Sequence, residues 1–366
     1  MSFTLSLIVP CYNEEASIEA CMEKLLDFSR NQDFSVEIIV VNDASTDASA
    51  QILERIATRH DGIKIFTHEK NSGKGAALQT GFIHATGDYV GIHDADEEYN
   101  PYDYIEMLKP LLAGKADVVY GSRYLRPDTR RVLYYYHTWM NKILTHVSNM
   151  FTNLDLTDVH TCYKLFRKDV IDAIAPKLKE KRFAFCPEVT ARVAEAGYRV
   201  YECAISYNPR SYEEGKKIGW KDGVRALYCN FHYGAHIAPV LTQFLIYVFI
   251  GSVLLPLNMA FFMLGNVLGV PINYSIICAY ILAGIINYVL CILILFRHNA
   301  RWKTPAEIFL FGLSVILMML IDLVVTKALI ALTGKVYMSK IAAAGVGVAI
   351  NFMLRKWLIF RERKKR

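Results

Sequence analysis

The chain has 366 residues, of which 53% are hydrophobic, and its mean hydropathy is +0.22. This length predicts two or more domains, and the apolar content exceeds what a soluble globular protein needs. The segment after residue 237 holds 13 Lys and Arg against 3 Asp and Glu, a balance of +10, which leaves −4 of the total +6 for the first 237 residues. Because the basic excess lies in the apolar half, it indicates membrane orientation and argues against nucleic-acid binding.

The eight cysteines are scattered along the chain and form no CxxC pair. This spacing indicates neither a zinc ribbon nor a disulfide framework, so we expect reduced thiols in a cytosolic setting. The N-terminal stretch MSFTLSLIVPCYN is apolar but short, and it lacks a basic region. We interpret it as a strand rather than a signal peptide.

Four strand-like segments in the first half are each followed by a polar connector and a helical pattern. The predicted strands are 3–9, 35–41, 63–67 and 89–92, and the predicted helices are 16–28, one ending near 59, 75–85 and one starting at Pro101. This alternation predicts an α/β fold with a doubly wound, mostly parallel sheet. Such sheets bind ligands beyond the carboxyl ends of their strands, where all four connectors lie, so the pattern predicts a nucleotide cleft.

The fourth connector carries four carboxylates in five residues, between Asp94 and Glu98. Such carboxylates repel one another unless a cation or water lies among them. Asp94 and Asp96 are therefore candidate ligands for Mg²⁺ or Mn²⁺, which would in turn hold phosphate oxygens. The alternative is a solvated acidic turn in which Asn100 caps the helix that starts at Pro101.

The second and third connectors also carry polar residues of two possible uses. Asp43 has the chemistry to accept hydrogen bonds from a base or ribose, although Asp in a strand-to-helix turn is also an ordinary cap. The segment Asn71 to Gly75 contains Gly73 and Lys74, and its glycines would let the backbone approach a phosphate. It is not a Walker A loop, because no Ser or Thr follows the Lys, and a plain glycine-rich helix start is an equal alternative.

Five short motifs together resemble the family 2 glycosyltransferases of GT-A fold: PCYNEE at 10–15, VNDASTD at 41–47, NSGKGAAL at 71–78, DAD at 94–96 and GSRY at 121–124. The resemblance covers roughly residues 3 to 218. It is strongest to the branch of dolichyl-phosphate mannose synthases and bacterial polyprenyl-phosphate glucosyltransferases. It implies that the donor nucleotide sugar is bound by Pro10, Tyr12, Glu14, Asp43, Gly73, Lys74 and Asp94. It also implies that Asp94, Asp96 and the side chain at position 98, here Glu98 where the branch commonly has Gln, surround the metal.

The pattern continues from Asp117 with a fifth strand, DVVYGSRY, and cationic residues at its end and beyond it are candidates for phosphate binding. Arg123, in GSRY, would grip a phosphate bidentately, the alternative being a surface arginine. By resemblance Lys217, together with Arg210, would reach donor or acceptor phosphate. The stretch LTDVHTCYK at 156–164 stands where the branch typically has an Asp, small polar residues and an Arg, and here Lys164 takes the place of the Arg. A further basic loop would touch the site or anionic lipid heads, or be solvated, and it contains Arg126, Arg130 and Arg131.

For two other groups of residues, the sequence favours ordinary structural roles. Phe183 and Phe185 lie in an aromatic segment of the branch, and core packing is favoured over stacking on a ligand. His232 and His236 have helical spacing, but no third ligand lies nearby for a zinc site.

The second half begins with a helical pattern whose apolar residues are Trp220, Val224, Leu227, Tyr228 and Phe231. This amphipathic helix would lie in the membrane interface or pack on the first domain. Four apolar segments then follow, at about 241–264, 272–296, 305–331 and 338–360. Each is long enough to span a membrane as a helix, and the distribution of Lys and Arg in the connectors predicts that both termini are cytoplasmic.

An internal repeat with an offset of 64 residues relates the two helical hairpins of this half, and the half resembles the GtrA family of four-helix membrane proteins. Asn258 corresponds to Asp322, and Asn287 corresponds to Asn351. Among the polar residues within the apolar segments, Asp322, Asn287 and Asn351 form the set of most interest. They would make helix–helix contacts or line a path for a lipid phosphate.

These inferences predict three parts: a GT-A domain at 1–218, an interfacial helix at 219–237 and a four-helix membrane domain at 238–366. The predicted reaction is inverting, metal-dependent transfer of a hexose from GDP-mannose or UDP-glucose to dolichyl or polyprenyl phosphate at the cytoplasmic face, with Asp96 and Arg123 as the catalytic residues. One alternative is a polysaccharide-extending enzyme, but no Gln begins the QxxRW motif typical of membrane synthases. The other is a flippase whose first domain senses nucleotide sugars.

Overall fold

The computed structural model of the protein describes residues 3–60, 62–125, 132, 134–210, 219–296 and 304–359. The chain divides into two compact units, Met1–Ile237 and Ala238–Arg366. The first unit contains a mixed sheet with helices on both faces, and the second contains long apolar helices.

The sheet of the first unit has seven strands. They are β1 (Thr4–Cys11), β2 (Ser35–Asn42), β3 (Ile63–Thr67), β4 (Tyr89–Ile92), β5 (Val118–Ser122), β6 (Lys164–Arg167) and β7 (Val200–Ala204). Their order across the sheet is β3-β2-β1-β4-β6-β5-β7. Every neighbouring pair is parallel except those of β6, which runs antiparallel to both β4 and β5. The α/β class and the mostly parallel sheet agree with the sequence prediction.

Eight helices accompany these strands in the described part of this unit. They are α1 (Ile18–Arg30), α2 (Ser49–Ala57), α3 (Lys74–His84), α4 (Asp103–Leu112), α5 (Tyr135–Thr152), α6 (Lys168–Ile174), α7 (Phe185–Ala196) and α8 (Trp220–Gly234). Because strand side chains alternate between faces, β1 sends Leu7 into a core with α1 and α4, and Ile8 into a second core with α3 and α7. The sheet is therefore buried on both faces, which explains the continuous apolar runs of its strands.

The predicted boundaries differ from the observed ones mainly at the helix starts. β3 and β4 begin and end where the sequence predicts. Helix α4 begins at Asp103 rather than Pro101, because Pro101 and Tyr102 form a turn before it. The backbone N–H of Tyr102 donates to Asn100 Oδ1 at 3.2 Å, so Asn100 does satisfy a donor near the helix start.

Helix α8 has two different faces, which accounts for the two alternatives that its sequence left open. Its residues Cys229 and Tyr233 are buried with Ala184 and Ala191 of the first unit. The apolar side chains of Trp220, Val224, Leu227, Tyr228 and Phe231 are exposed on the opposite face. The helix thus packs on the α/β unit and still presents an apolar stripe.

The second unit contains α9 (Val240–Val267), α10 (Ile272–Leu290), α11 (Thr304–Thr333) and α12 (Val336–Leu354), and π-helical turns extend α10 to Phe296 and α12 to Ile359. Within the residues described in this unit, the stretch Val240–Gly265 has the length and hydropathy of a membrane span. Shorter apolar stretches lie at 281–295 and 308–318. The number of spans therefore stays a prediction.

One of the predicted polar residues makes a contact between the two repeats. Asn287 of α10 accepts hydrogen bonds from Arg355 Nη1 at 2.7 Å and from Cys291 Sγ at 3.2 Å. The guanidinium of Arg355 is buried and lies over the ring of Phe311, 4.3 Å from its centroid. Asn287 therefore makes a helix–helix contact, while the side chain of Asp322 lies outside the described part of the structure.

Candidate active site

The polar connectors that follow β1, β2 and β4 meet at one edge of the sheet. β1 lies between β2 and β4 and pairs with both in parallel, with Pro10 opposite Val41. The carboxyl ends of these strands therefore lie side by side, as the fold class predicts. Pro10 and Tyr12 are both half-buried at this edge.

Asp43, directly after β2, organises the loop that follows β3. Its Oδ1 accepts from the backbone N–H of Ser72 at 2.8 Å and lies 2.7 Å from His68 Nδ1, and its Oδ2 accepts from the N–H of Gly73 at 2.6 Å. The carboxylate is almost fully buried. Asp43 therefore fixes the glycine-containing loop, although its partners there lie 25 to 30 residues further along the chain. This role differs from capping the turn in which Asp43 itself lies.

The glycines of this loop are required by a close approach of the segment at residues 180–182. Gly73 has a φ of +95°, and a Cβ there would lie 2.4 Å from the carbonyl oxygen of Lys181. A Cβ on Gly75 would lie 2.2 Å from the carbonyl oxygen of Glu180. The N–H of Ala76 donates to the Lys181 carbonyl at 3.1 Å. The segment therefore supports the start of α3 through its backbone.

Lys74, the first residue of α3, points to the acidic connector. Its Nζ lies 2.6 Å from Asp94 Oδ1 and donates to the thiol sulfur of Cys162 at 2.9 Å. The Lys74 and Asp94 side chains are only 19% and 11% exposed. The loop after β3 and the loop after β4 are thus joined by a largely buried ion pair.

Arg210 connects three carboxylates from two different loops. Its Nη1 donates to Glu14 Oε2 at 3.0 Å, and its Nη2 lies 3.2 Å from Asp96 Oδ2. Its backbone N–H donates to Glu98 Oε1 at 2.8 Å, while the other Glu98 oxygen accepts from the hydroxyl of Tyr207 at 2.9 Å. Arg210 therefore neutralises part of the negative charge at the edge of the sheet.

Negative charge is concentrated around Asp96. Burial, together with the neighbouring carboxylates of Asp94 and Glu98, raises the pKa of Asp96 to about 7. Two aspartate carboxylates at a strand end suit a hard divalent cation, because Mg²⁺ is commonly held by one or two protein carboxylates together with substrate phosphates. Within the described residues no group of three or more His, Cys, Asp or Glu side chains is arranged to hold a metal ion. The fit to such a cation therefore rests on the chemistry of the two aspartates.

Arg123 lies immediately after β5 and is held by a carboxylate that sequence reasoning did not identify. Its Nε and Nη2 donate to the two oxygens of Asp158 at 2.6 and 2.9 Å. The Asp158 side chain is fully buried, and Arg123 is only 12% exposed. The guanidinium also lies over the ring of Tyr207, 5.2 Å from the centroid. Arg123 is thus a fixed donor rather than a surface arginine, and its Nη1 remains outside the bidentate contact.

Lys164, which stands where the family branch typically has Arg, is fully buried and faces the interior. Its ammonium group donates to the carbonyl of Val159 at 3.0 Å and to that of Thr161, and lies 4.6 Å from the centroid of the Tyr120 ring. It stabilises the loop that carries Asp158. A single Asp in the stretch LTDVHTCYK was the only sequence signal for Asp158.

The remaining predicted residues fall into two groups. Lys217, Arg126, Arg130 and Arg131 lie outside the described residues. Phe185 is buried against Phe82, with ring centroids 6.1 Å apart, as expected for a core residue, and Phe183 is half-buried. His236 contacts Glu195 at 3.4 Å, and His232 stacks on Tyr228.

Two regions of the chain match known protein families. Residues 6–175 match the sequence model of Glycosyl transferase family 2, and residues 233–360 match that of the GtrA/DPMS transmembrane domain. Dolichyl-phosphate beta-glucosyltransferase ALG5D of Trichomonas vaginalis is 30% identical over 217 residues, which cover 56% of this chain and 65% of that protein. Glycosyltransferase AglD of Haloferax volcanii is 26% identical over 216 residues, 56% of this chain and 33% of that protein.

The matched region thus spans less than two thirds of the length of these relatives. Among solved structures, glucosyl-3-phosphoglycerate synthase from Mycobacterium tuberculosis superposes with a TM-score of 0.48 at 16% identity, over 63% of this chain and 80% of that one.

Proposed function

Because the chain joins a family 2 glycosyltransferase domain to a GtrA/DPMS transmembrane domain, we propose that it transfers a hexose from a nucleotide diphosphate sugar to a polyprenyl or dolichyl phosphate. The observation that carries the proposal is the convergence of Asp94, Asp96, Lys74 and Arg210 at the carboxyl ends of β1 and β4. A sugar nucleotide carries an anionic diphosphate and is bound together with a cation. Its site therefore needs cationic side chains for the phosphates and anionic side chains for the cation.

Asp94 and Asp96 are the residues that would hold Mg²⁺ or Mn²⁺. Glu98, the third residue that the family resemblance implies, accepts hydrogen bonds from Arg210 and Tyr207 in this structure. When bound, the divalent ion supplies positive charge that stabilises the leaving diphosphate. Lys74 and Arg210 already lie beside these carboxylates and would orient the diphosphate from either side. Glu14 holds Arg210 in this position, and Asp43 holds the glycine-containing loop.

The acceptor phosphate is an anion before it reacts, so a strong general base is unnecessary and the residues act by orientation and electrostatics. Arg123 would bind the acceptor phosphate through the part of its guanidinium that Asp158 does not use. In a single displacement, an oxygen of the acceptor phosphate would bond to the anomeric carbon of the sugar as the nucleoside diphosphate leaves. Such a step inverts the configuration of that carbon. Lys217 is a further candidate for the acceptor phosphate.

Glucose is the sugar that the relatives favour, because ALG5D and two further matching proteins of Trichomonas vaginalis are named as dolichyl-phosphate beta-glucosyltransferases. UDP-glucose is therefore our first candidate donor and GDP-mannose the second. The positive-inside pattern of the apolar half supports a reaction at the cytoplasmic face of the membrane.

The test is an assay of the full-length protein in detergent with polyprenyl phosphate, Mn²⁺ and either UDP-glucose or GDP-mannose. We expect a glucosylated lipid from UDP-glucose. D96N and R123A should each lower turnover by about 100-fold, the effect typical of removing a group that stabilises developing charge. E106Q, in an exposed Lys109 pair on α4, is the matched control and should stay active. Undiminished turnover in D96N or R123A would remove that residue from the mechanism, and no product with either donor would refute the proposed function.

A further inference from the structure

A cavity of about 650 Å³ lies between helix α8 and the segment at residues 179–184, on the α/β unit. Its lining segment borders the loop of Gly73 and Gly75, but the lining contains none of the carboxylates and cations of the candidate active site. Its lining residues are Lys179, Glu180, Lys181, Arg182, Ala184, Gly219, Trp220, Lys221, Asp222 and Arg225. The cavity therefore combines one end of an amphipathic helix with a cluster of cationic side chains.

The charge of this cavity is positive, and its two carboxylates are already engaged. Glu180 accepts from Arg225 Nε and Nη2 at 3.1 and 2.7 Å, and Asp222 accepts from the backbone N–H of Gly219 at 3.0 Å. The remaining cations are exposed and take part in none of the ion pairs among the described residues; they are Lys179, Lys181, Arg182 and Lys221. Among the described lining residues, Asp222 is the one carboxylate left to balance these four cations, so the cavity keeps an excess of positive charge.

The surface beside the cavity is apolar. Trp220 lines the cavity and is 77% exposed, and Val224 lies one turn further along the same exposed stripe of α8. In the chain, α8 is followed after five residues by α9, the helix with the length and hydropathy of a membrane span. An aromatic and aliphatic stripe bordered by Lys and Arg is the pattern of a helix that lies on an anionic membrane.

We propose that this cavity binds the phosphate headgroup of an anionic membrane phospholipid, with the acyl chains beside the exposed stripe of α8. Lys179, Lys181 and Lys221 would contact the phosphate, while Arg225 stays bound to Glu180 and holds the two walls together. A polyanion such as nucleic acid fits less well, because the first 237 residues carry a net charge of −4. None of the lining side chains is among the charged residues of the candidate active site, so the charges of the two sites can be changed separately.

The test measures binding of a short-chain phosphatidylglycerol to the full-length protein by native mass spectrometry, without sugar donor or polyprenyl phosphate. We expect K179Q/K181Q/K221Q to bind this lipid at least about tenfold more weakly, because each Lys near an anionic lipid surface contributes measurably to binding. The charge-preserving K179R/K181R/K221R should keep most of the affinity. The matched control K109Q/K115Q/K168Q removes the same charge from elsewhere on the surface and should bind like the wild type.

Four results would overturn the proposal. The first is binding by K179Q/K181Q/K221Q within twofold of the wild type, and the second is an equal loss in the control variant. The third is equally strong binding of a short-chain phosphatidylcholine, which would mean that the headgroup charge is irrelevant. The fourth is competition by inorganic phosphate at the same affinity, which would identify a site for free phosphate. Since the measurement contains neither substrate of the transferase, it can fail while the proposed activity stands, and the reverse also holds.

Discussion

The ion pair between Arg123 and Asp158 gives a quantitative prediction about stability. Its carboxylate is fully buried, its guanidinium is only 12% exposed, and the two are joined by two short hydrogen bonds. In D158N the guanidinium loses its counter-charge in a place that water hardly reaches. Removing one partner of a buried pair costs about 3 to 5 kcal/mol. For a unit of about 237 residues this corresponds to a fall of roughly 6 to 20 °C in unfolding temperature.

The assay is calorimetry of the full-length protein in detergent, following the transition of the α/β unit. E106Q is the matched control, because Glu106 and Lys109 form a pair that is 62% and 63% exposed. Exposed pairs contribute less than about 1 kcal/mol, so E106Q should unfold within about 4 °C of the wild type. The double variant R123M/D158N should unfold at a higher temperature than D158N, because it no longer contains a buried, unpaired guanidinium.

Either of two results would refute this reasoning. One is that D158N unfolds within the same few degrees as E106Q. The other is that R123M/D158N is less stable than D158N by the full cost of R123M alone, since simple additivity would mean that the two side chains do not depend on each other.

Three further predictions concern other parts of the molecule. In a denaturation assay, G75A should lower the free energy of unfolding by about 1 to 3 kcal/mol. The reason is that the new Cβ would lie 2.2 Å from a backbone oxygen, which no side-chain rotation can move. G223A, where a Cβ would have open space, should be neutral or slightly stabilising in the same assay. Burial raises the pKa of Glu37, but hydrogen bonds from Lys64, Ser6 and Thr86 outweigh it and lower the pKa to about 2. Glu37 therefore stabilises the fold by about 3 kcal/mol above its unfolded pKa and loses this as the pH falls from about 5 towards 2, so E37Q should show a flatter loss of stability over that range in acid titration. In the second unit, N287L should lower the unfolding temperature in detergent, because Arg355 loses its hydrogen-bond acceptor at a cost of about 1.5 to 3 kcal/mol. S252A, which removes an exposed hydroxyl, should leave the unfolding temperature unchanged.

The sequence predicts the edge of the sheet well, because that prediction depends only on local periodicity and on the geometry of parallel strands. Each polar connector follows an apolar run, so its position at the carboxyl edge follows once the sheet is parallel. Lys74 and Asp94 were both singled out for this reason, and the structure brings them within 2.6 Å of each other. What could not be predicted is that they bind one another, since their connectors are separated by a helix and a strand.

Long-range partners account for most of what the sequence did not reveal. Asp158 lies 35 residues after Arg123, in the stretch LTDVHTCYK, and nothing in that stretch indicates Arg123 as its partner. The antiparallel direction of β6 was also not predicted, because a strand of four residues carries too little alternation to reveal its neighbours. Asp43 looked like either a cap or a ligand for the nucleoside, and its actual partners are backbone N–H groups of a loop about 30 residues away.

The three cations of the candidate site differ in how freely they can turn towards a phosphate. Arg123 is held through two hydrogen bonds to a buried carboxylate, so its direction is fixed before any substrate arrives. Lys74 and Arg210 are about one fifth exposed and each pairs with an aspartate of the acidic connector, at 2.6 and 3.2 Å. Under the proposed function, an incoming diphosphate would compete with those aspartates for the same two cations. Lys74 and Arg210 would then exchange partners when the donor binds, whereas Arg123 would not need to. On this proposal, Arg123 is a preorganised hydrogen-bond donor for the acceptor phosphate. The charges of Lys74 and Arg210 would become available to the donor diphosphate only when a cation takes their place beside the carboxylates.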